Sequence, residues 1–186
     1  ATPAVKNHWR GVARFFRACY YSNLVFRYGD VPWYDRVPRL SDSKEDMDYL
    51  YKDRDPRALV DSCIMADFQY AMDSVRENDG PQQINRYVVA AMASRLMLRE
   101  GTFLKYHKID TELAEQCLTM AKAAAEMVMK SNKYAIAPSY NALFTSEDLG
   151  SNPEIIMHRH YVDGVLAHST LAYSYTEAQA GLSRSL

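Results

Sequence analysis

The sequence predicts a mainly all-α protein, an α-solenoid of helical hairpins followed by an irregular C-terminal segment. Three observations carry this expectation. Apolar residues recur at three- and four-residue spacing through four long stretches. Residues that start or stop helices bound those stretches, among them Gly29, Pro56 and Asn85. After Tyr134 the period is lost, and Pro138, Gly150, Pro153 and Gly164 interrupt the chain.

The first helix is expected over residues 5–28. Trp9, Val12, Phe16, Cys19, Tyr20 and Leu24 fall on or beside one face, and Gly29 and Pro32 stop it. Residues 30–54 are polar, contain prolines and carry both charges, which reads as a long loop with one short turn near 44–50. Structureless loops of that length inside a domain are usually functional or mobile. Asp55 and Pro56 are placed as N-cap and first residue of the next helix, whose buried stripe runs through Leu59, Val60, Cys63, Ile64, Phe68, Ala71, Met72 and Val75. Residues 78–81 end it. Asn85 caps a third helix to about Leu104, apolar nearly all round and rich in small residues, so it is expected to lie between neighbours. Thr111 opens a fourth, with Leu113, Cys117, Met120, Ala121, Ala124, Met127 and Val128 on its face and an end near Asn132. Gly101 precedes that helix by ten positions, a spacing that resembles a degenerate tetratricopeptide repeat. Residues 154–161 read as a short strand.

The resulting organisation is a tetratricopeptide-like helical core over 1–134, interrupted by the loop at 30–54, and an irregular segment over 135–186 that begins a second lobe. The chain has 186 residues, 48% apolar and 24% charged, with a net charge of −1. That is enough for one domain with a core. Lys and Arg are interleaved with Asp and Glu, so no basic face is available for nucleic acid. Cys19, Cys63 and Cys117 each lie in an apolar helical stretch without CxxC spacing and read as buried thiols. No signal peptide, lipidation signal or bilayer-long apolar run is present.

An ordered set of motifs resembles the SusD/RagB family of surface nutrient-binding proteins. RFFRACYYSNLVFRYGDVP is similar to that family's helix-and-exit signature, and RALVDSCIMADFQYAMDSV to its next helix. NRYVVAAMASRLMLREGTF resembles its Ala-rich helix ending in glycine; SNKYAI, SYNALFTSED and SNPEIIMHRHY resemble its later turn, Tyr–Leu–Phe segment and Asn–Glu–Ile strand. The order holds from about Ala13 to Tyr161. The resemblance implies an α-solenoid of tetratricopeptide-like hairpins with an irregular second lobe. It implies a lipoprotein on the outer surface of the Bacteroidota outer membrane that binds oligosaccharides, or in some members peptides. It also implies a SusC-type TonB-dependent transporter as partner, and no enzymatic activity. The family's lipobox cysteine and first helix are missing from this sequence, and the larger half is not reached, so the chain reads as a central portion whose lipid anchor lies outside it.

Trp33 and Tyr34 follow the helix stop and are the candidate sugar-stacking platform, since one face of a pyranose is apolar. The competing reading is that Trp33 folds back as packing. Tyr49 and Tyr51 share the loop and join the ligand-binding candidates. Asp67 falls inside an apolar stripe and is expected to be a structural carboxylate tied to an arginine such as Arg14, Arg17 or Arg86, because an unpaired buried charge is costly. His158 and His160 alternate, with Glu154 near, but no third ligand has suitable spacing, so no metal is expected. No cofactor is expected either. His168 and several serines lack a nucleophile elbow, paired glycosidase carboxylates are unplaced, and no phosphate-cradling glycine loop occurs. The sequence therefore predicts capture of an oligosaccharide; the reading from a different class is a tetratricopeptide-like scaffold that binds a peptide or protein.

Overall fold

Thr2 accepts a hydrogen bond from the Val5 N–H, and with Pro3 in the first turn it starts helix α1 (Pro3–Tyr28). Gly29 ends it at φ +74, a conformation that disfavours any side chain. In this computed structural model the described residues are 2–39, 41, 43–80, 82–146, 148–162 and 165–166. Four further elements follow in the core region: α2 (Lys44–Leu50), α3 (Arg57–Ser74), α4 (Arg86–Tyr106) and α5 (Thr111–Lys130). A short α6 (Tyr140–Thr145), capped by Ser139, lies in the stretch that sequence reading left irregular.

Local chemistry explains most of the boundaries. Asn85 accepts from Tyr87 and Val88 N–H at the start of α4, and Asp110 accepts from Leu113 N–H at the start of α5. The expected role of Asp55 is corrected. The N-cap of α3 is Pro56, which has no capping side chain; Asp30, from across the loop, accepts from the Arg57 N–H at 2.9 Å. Asp55 is turned to the loop instead, where Trp33 needs it.

Packing joins α1 to α3 and α4 to α5, with α3 against α4 uniting the two pairs. This is the mainly helical, hairpin-paired architecture the sequence predicts. Gly101 makes the α4–α5 contact possible. A Cβ there would meet the Ala114 carbonyl oxygen and Leu118 Cγ at 2.9 Å and Cys117 Cβ at 3.0 Å. The core runs through Phe15, Val25, Ile64, Phe68, Met97 and Leu104.

Two further expectations fail. The buried face of α1 is His8, Gly11, Phe15, Ala18, Ser22 and Val25, whereas Trp9, Phe16, Tyr20 and Leu24 are exposed. Residues 154–161 form no strand; among the described residues, pairing is limited to isolated bridges, Val31 with Asp55 and Val162 with Leu166. The expectations at Pro81, Gly164, His168 and the tail from Thr170 lie outside the described residues.

A buried polar cluster ties the two pairs. Arg57 pairs with Glu100, Glu100 accepts from Ser22 Oγ at 3.1 Å, and Arg99 donates to the Ser22 carbonyl at 2.7 Å. Asp61 lies 3.5 Å from Arg57 Nε, an ion pair without hydrogen-bond alignment, and neither of its oxygens has a hydrogen-bond partner. Burial, then the Glu100 carboxylate, pushes Asp61 up to about 7, against the pull of Arg57.

Candidate functional site

The aromatic loop is assembled from its ends inward. Gly29 turns the chain out of α1, and Val31 is then buried and bridged to Asp55, whose N–H donates to the Val31 carbonyl at 3.2 Å. That bridge staples the two ends of the loop, between the end of α1 and the start of α3. Tyr21, on α1, is the hub. Its hydroxyl donates to the Pro32 carbonyl at 3.3 Å and accepts from the Tyr34 N–H at 2.9 Å. Burial raises the Tyr21 pKa, opposed by the Tyr34 N–H and Arg17.

Trp33 lies against Tyr21, with ring centroids 4.3 Å apart, and the Arg17 guanidinium sits 4.7 Å from its ring centre. Its backbone N–H donates to Asp55 Oδ2, which also takes Lys52 Nζ; the Lys52 contact, then this N–H, lowers the Asp55 pKa. Trp33 is half-buried and packs on the core. Tyr34 donates to the Leu50 carbonyl at 2.9 Å, meets Tyr49 edge-on at 5.4 Å, and has Lys52 Nζ 5.6 Å from its ring centre. Tyr49 donates to Asp35 Oδ1 at 2.8 Å and accepts from the Arg36 N–H at 3.1 Å, with the Arg36 guanidinium over its ring at 4.3 Å. The Tyr49 hydrogen bond is the main reason the Asp35 pKa is lowered. Three of the four loop aromatics thus have their rings engaged by neighbours. Tyr51, at the end of α2, is 74% exposed.

Asp67 supports the same loop from below. Its two oxygens accept from Arg17 at 2.6 and 2.8 Å, and Arg14 Nη1 approaches to 3.7 Å. Arg86 is engaged elsewhere, with the Val75 carbonyl and Glu77. Arg17 also donates to the Asp35 carbonyl at 3.1 Å, so one guanidinium links α3, α1 and the loop. Sequence reading missed Tyr21 as the hub. It lies inside a run read only as helix, and nothing in its spacing distinguishes it from Tyr20.

Two concavities lie on another side. An apolar groove of about 650 Å³ runs between α1 and the start of α4, floored by Phe16, Tyr20, Ile84, Val88, Met92 and Met157. A more polar pocket of about 410 Å³ adjoins it, with Asp148, His158 and His160 on its wall beside Gln82 and Tyr134. Glu154 does not join the histidines; it accepts from the Ala137 N–H at 2.9 Å.

A structural likeness covers most of this chain. A SusD-like protein from Bacteroides fragilis NCTC 9343 aligns over 84% of the chain with a TM-score of 0.64 at 19% identity. The fold is that of SusD-like proteins. A SusD-like carbohydrate-binding protein from Bacteroides vulgatus ATCC 8482 aligns over 74% of the chain with a TM-score of 0.53 at 18% identity. The chain spans 28% and 27% of the lengths of these two SusD-like structures, so what it presents is a segment of that architecture. No family model matches the chain, and no curated protein does. Among the described residues, no helix of this SusD-like fold is long and apolar enough to cross a membrane.

Proposed function

We propose that this chain belongs to a surface glycan-capture protein of the SusD type. Such a protein binds an oligosaccharide and passes it to a TonB-dependent transporter of the SusC type at the outer face of the Bacteroidota outer membrane, held there by a lipid anchor outside this sequence. The observation that carries the reading is the fold likeness over most of the chain to a structure described as a SusD-like carbohydrate-binding protein. The ordered motifs of the sequence support it independently, in particular the helix exit leading to Trp33 and Tyr34. The role is capture rather than conversion.

Within the loop the four aromatics divide the work. Trp33, Tyr34 and Tyr49, each held by hydrogen bonds and a cation, shape the loop. Tyr51 offers an open ring for a pyranose face. Asp67, Arg14 and Arg17 hold the loop in place.

A second reading rests on a specific observation, the apolar groove between α1 and α4, whose phenylalanine, tyrosine and methionine floor suits apolar side chains of an extended or helical peptide. A glycan panel and a peptide library, each screened against the intact protein and its Tyr51→Ala and Phe16→Ala variants, separate the two. Retention of an oligosaccharide that weakens in Tyr51→Ala supports glycan capture through the loop. Peptide retention alone, weakened in Phe16→Ala, replaces it with the scaffold reading.

A further inference from the structure

We propose that Asp148, His158 and His160 form a binding site for a zinc ion or a similar borderline divalent metal. Each residue offers one ligand atom, and all three atoms lie within 4.8 Å of one another. His160 Nδ1 is 3.8 Å from Asp148 Oδ1, and the two imidazole centroids are 6.3 Å apart. Two imidazoles and one carboxylate are the donor set of many zinc sites. Calcium takes six to eight oxygen ligands, whereas this cluster offers two imidazole nitrogens and one carboxylate.

The geometry is close to what the ion needs. Zinc–ligand bonds of about 2.0–2.1 Å at tetrahedral angles put ligand atoms roughly 3.3 Å apart, so the widest gap must close by ~1.5 Å. Exposed Asp148 and half-buried His158 and His160 can make that movement by side-chain rotation.

Two backbone N–H groups around the cluster are hydrogen-bonded. Asp148 Oδ1 accepts from the Gly150 N–H at 2.9 Å, which leaves a second lone pair on that oxygen and both on Oδ2 for a metal. The His160 N–H donates to Gln82 Oε1 at 3.3 Å, which fastens this stretch to the junction between α3 and α4. Among the described residues, no Lys or Arg lines the pocket to compete for the carboxylate. Three protein ligands leave a coordination position that faces the pocket, open to water or to an oxygen of a bound ligand. The ion would join the turn at 148–150 to the stretch at 158–160. The site stands apart from the aromatic loop and does not depend on the glycan reading.

Titration calorimetry of the intact protein with zinc chloride, with calcium chloride as control, tests the assignment. One saturable zinc site is expected, with calcium silent and affinity reduced at least about tenfold in each of His158→Ala, His160→Ala and Asp148→Asn. Cobalt(II) added to the wild-type protein should give the intense visible absorption of tetrahedral coordination, a readout that does not rely on any variant folding. No saturable zinc binding, zinc binding unchanged in the double variant His158→Ala/His160→Ala, or a weak octahedral cobalt spectrum would each overturn the proposal.

Discussion

Replacing Gly101 with alanine tests whether the α4–α5 contact depends on a missing side chain. The added Cβ would lie 2.9 Å from the Ala114 carbonyl oxygen and from Leu118 Cγ, and 3.0 Å from Cys117 Cβ. Ordinary contact begins near 3.4 Å. Leu118 can rotate, but the Ala114 oxygen is backbone and Cys117 is fully buried, so α5 must retreat by ~0.5 Å along a packed face. Overpacking of this kind costs about 1–3 kcal/mol. Alanine returns up to about 1 kcal/mol through its better helix propensity. The expected net loss is ~1–2 kcal/mol, which for a chain of this size lowers Tm by roughly 2–8 °C. Urea denaturation followed by circular dichroism, with m unchanged, measures it. A gain of about 1 kcal/mol would mean that the two helices have slack and that propensity alone governs the position. That result would refute the close-packing argument.

Asp67→Ala removes the carboxylate that Arg17 grips with two bonds; because Arg17 stays partly solvated, the loss should be about 2 kcal/mol rather than the ~3–5 of a fully buried broken pair, read by the same urea denaturation. Trp33→Ala should cost ~2 kcal/mol through lost half-buried packing, whereas Tyr51→Ala should leave stability within about 0.5 kcal/mol and act only on ligand binding. Asp61 binds its proton more tightly folded than unfolded, since its folded pKa is raised to about 7 from an ordinary 3.8. Its contribution is therefore fully present below about pH 4 and is lost as pH rises through 7. Relative to wild type, Asp61→Asn should gain stability between pH 5 and pH 8, measured by parallel denaturation curves; an identical pH slope in the two proteins would exclude Asp61 as its source.

The helices were legible because their periods and caps are local. Asn85 caps α4 as its sequence position suggests, and the α3 stripe is buried at Val60, Ile64, Phe68, Ala71, Met72 and Val75, whereas Leu59 is exposed and Cys63 only half-buried. The face of α1 was not legible, for a packing reason. Its largest apolar side chains, Trp9, Phe16, Tyr20 and Leu24, drew the reading to the exposed side. The helix instead buries small residues that allow close approach, as at Gly11, where a Cβ would meet Val75 Cγ2 at 2.9 Å. It also buries polar residues whose partners are distant in the chain. His8 is paired with Asp79 at 3.1 Å and accepts from the Arg76 N–H at 3.3 Å, and Ser22 donates to Glu100. No periodicity reveals such partners.

The site divides the same way. The sequence drew attention to the loop aromatics and to Asp67 with its arginines, because composition and an interrupted stripe are visible in one dimension. Which rings are covered was not visible, since Arg17, Arg36 and Lys52 reach Trp33, Tyr49 and Tyr34 only in three dimensions. Asp148 escaped notice for a similar reason. It lies ten residues before His158, and only the turn at Gly150 brings it back to the histidines.

The measurement that bears most directly on the account is calorimetric titration of the intact protein with the oligosaccharide a glycan panel selects, with the sugar recovered afterwards for mass spectrometry. Glycan capture predicts saturable binding, weakened in Tyr51→Ala, with every sugar chain recovered at its original mass. Shortened or modified sugar in the recovered material would contradict capture without conversion, and the absence of binding by any oligosaccharide would contradict the glycan reading itself.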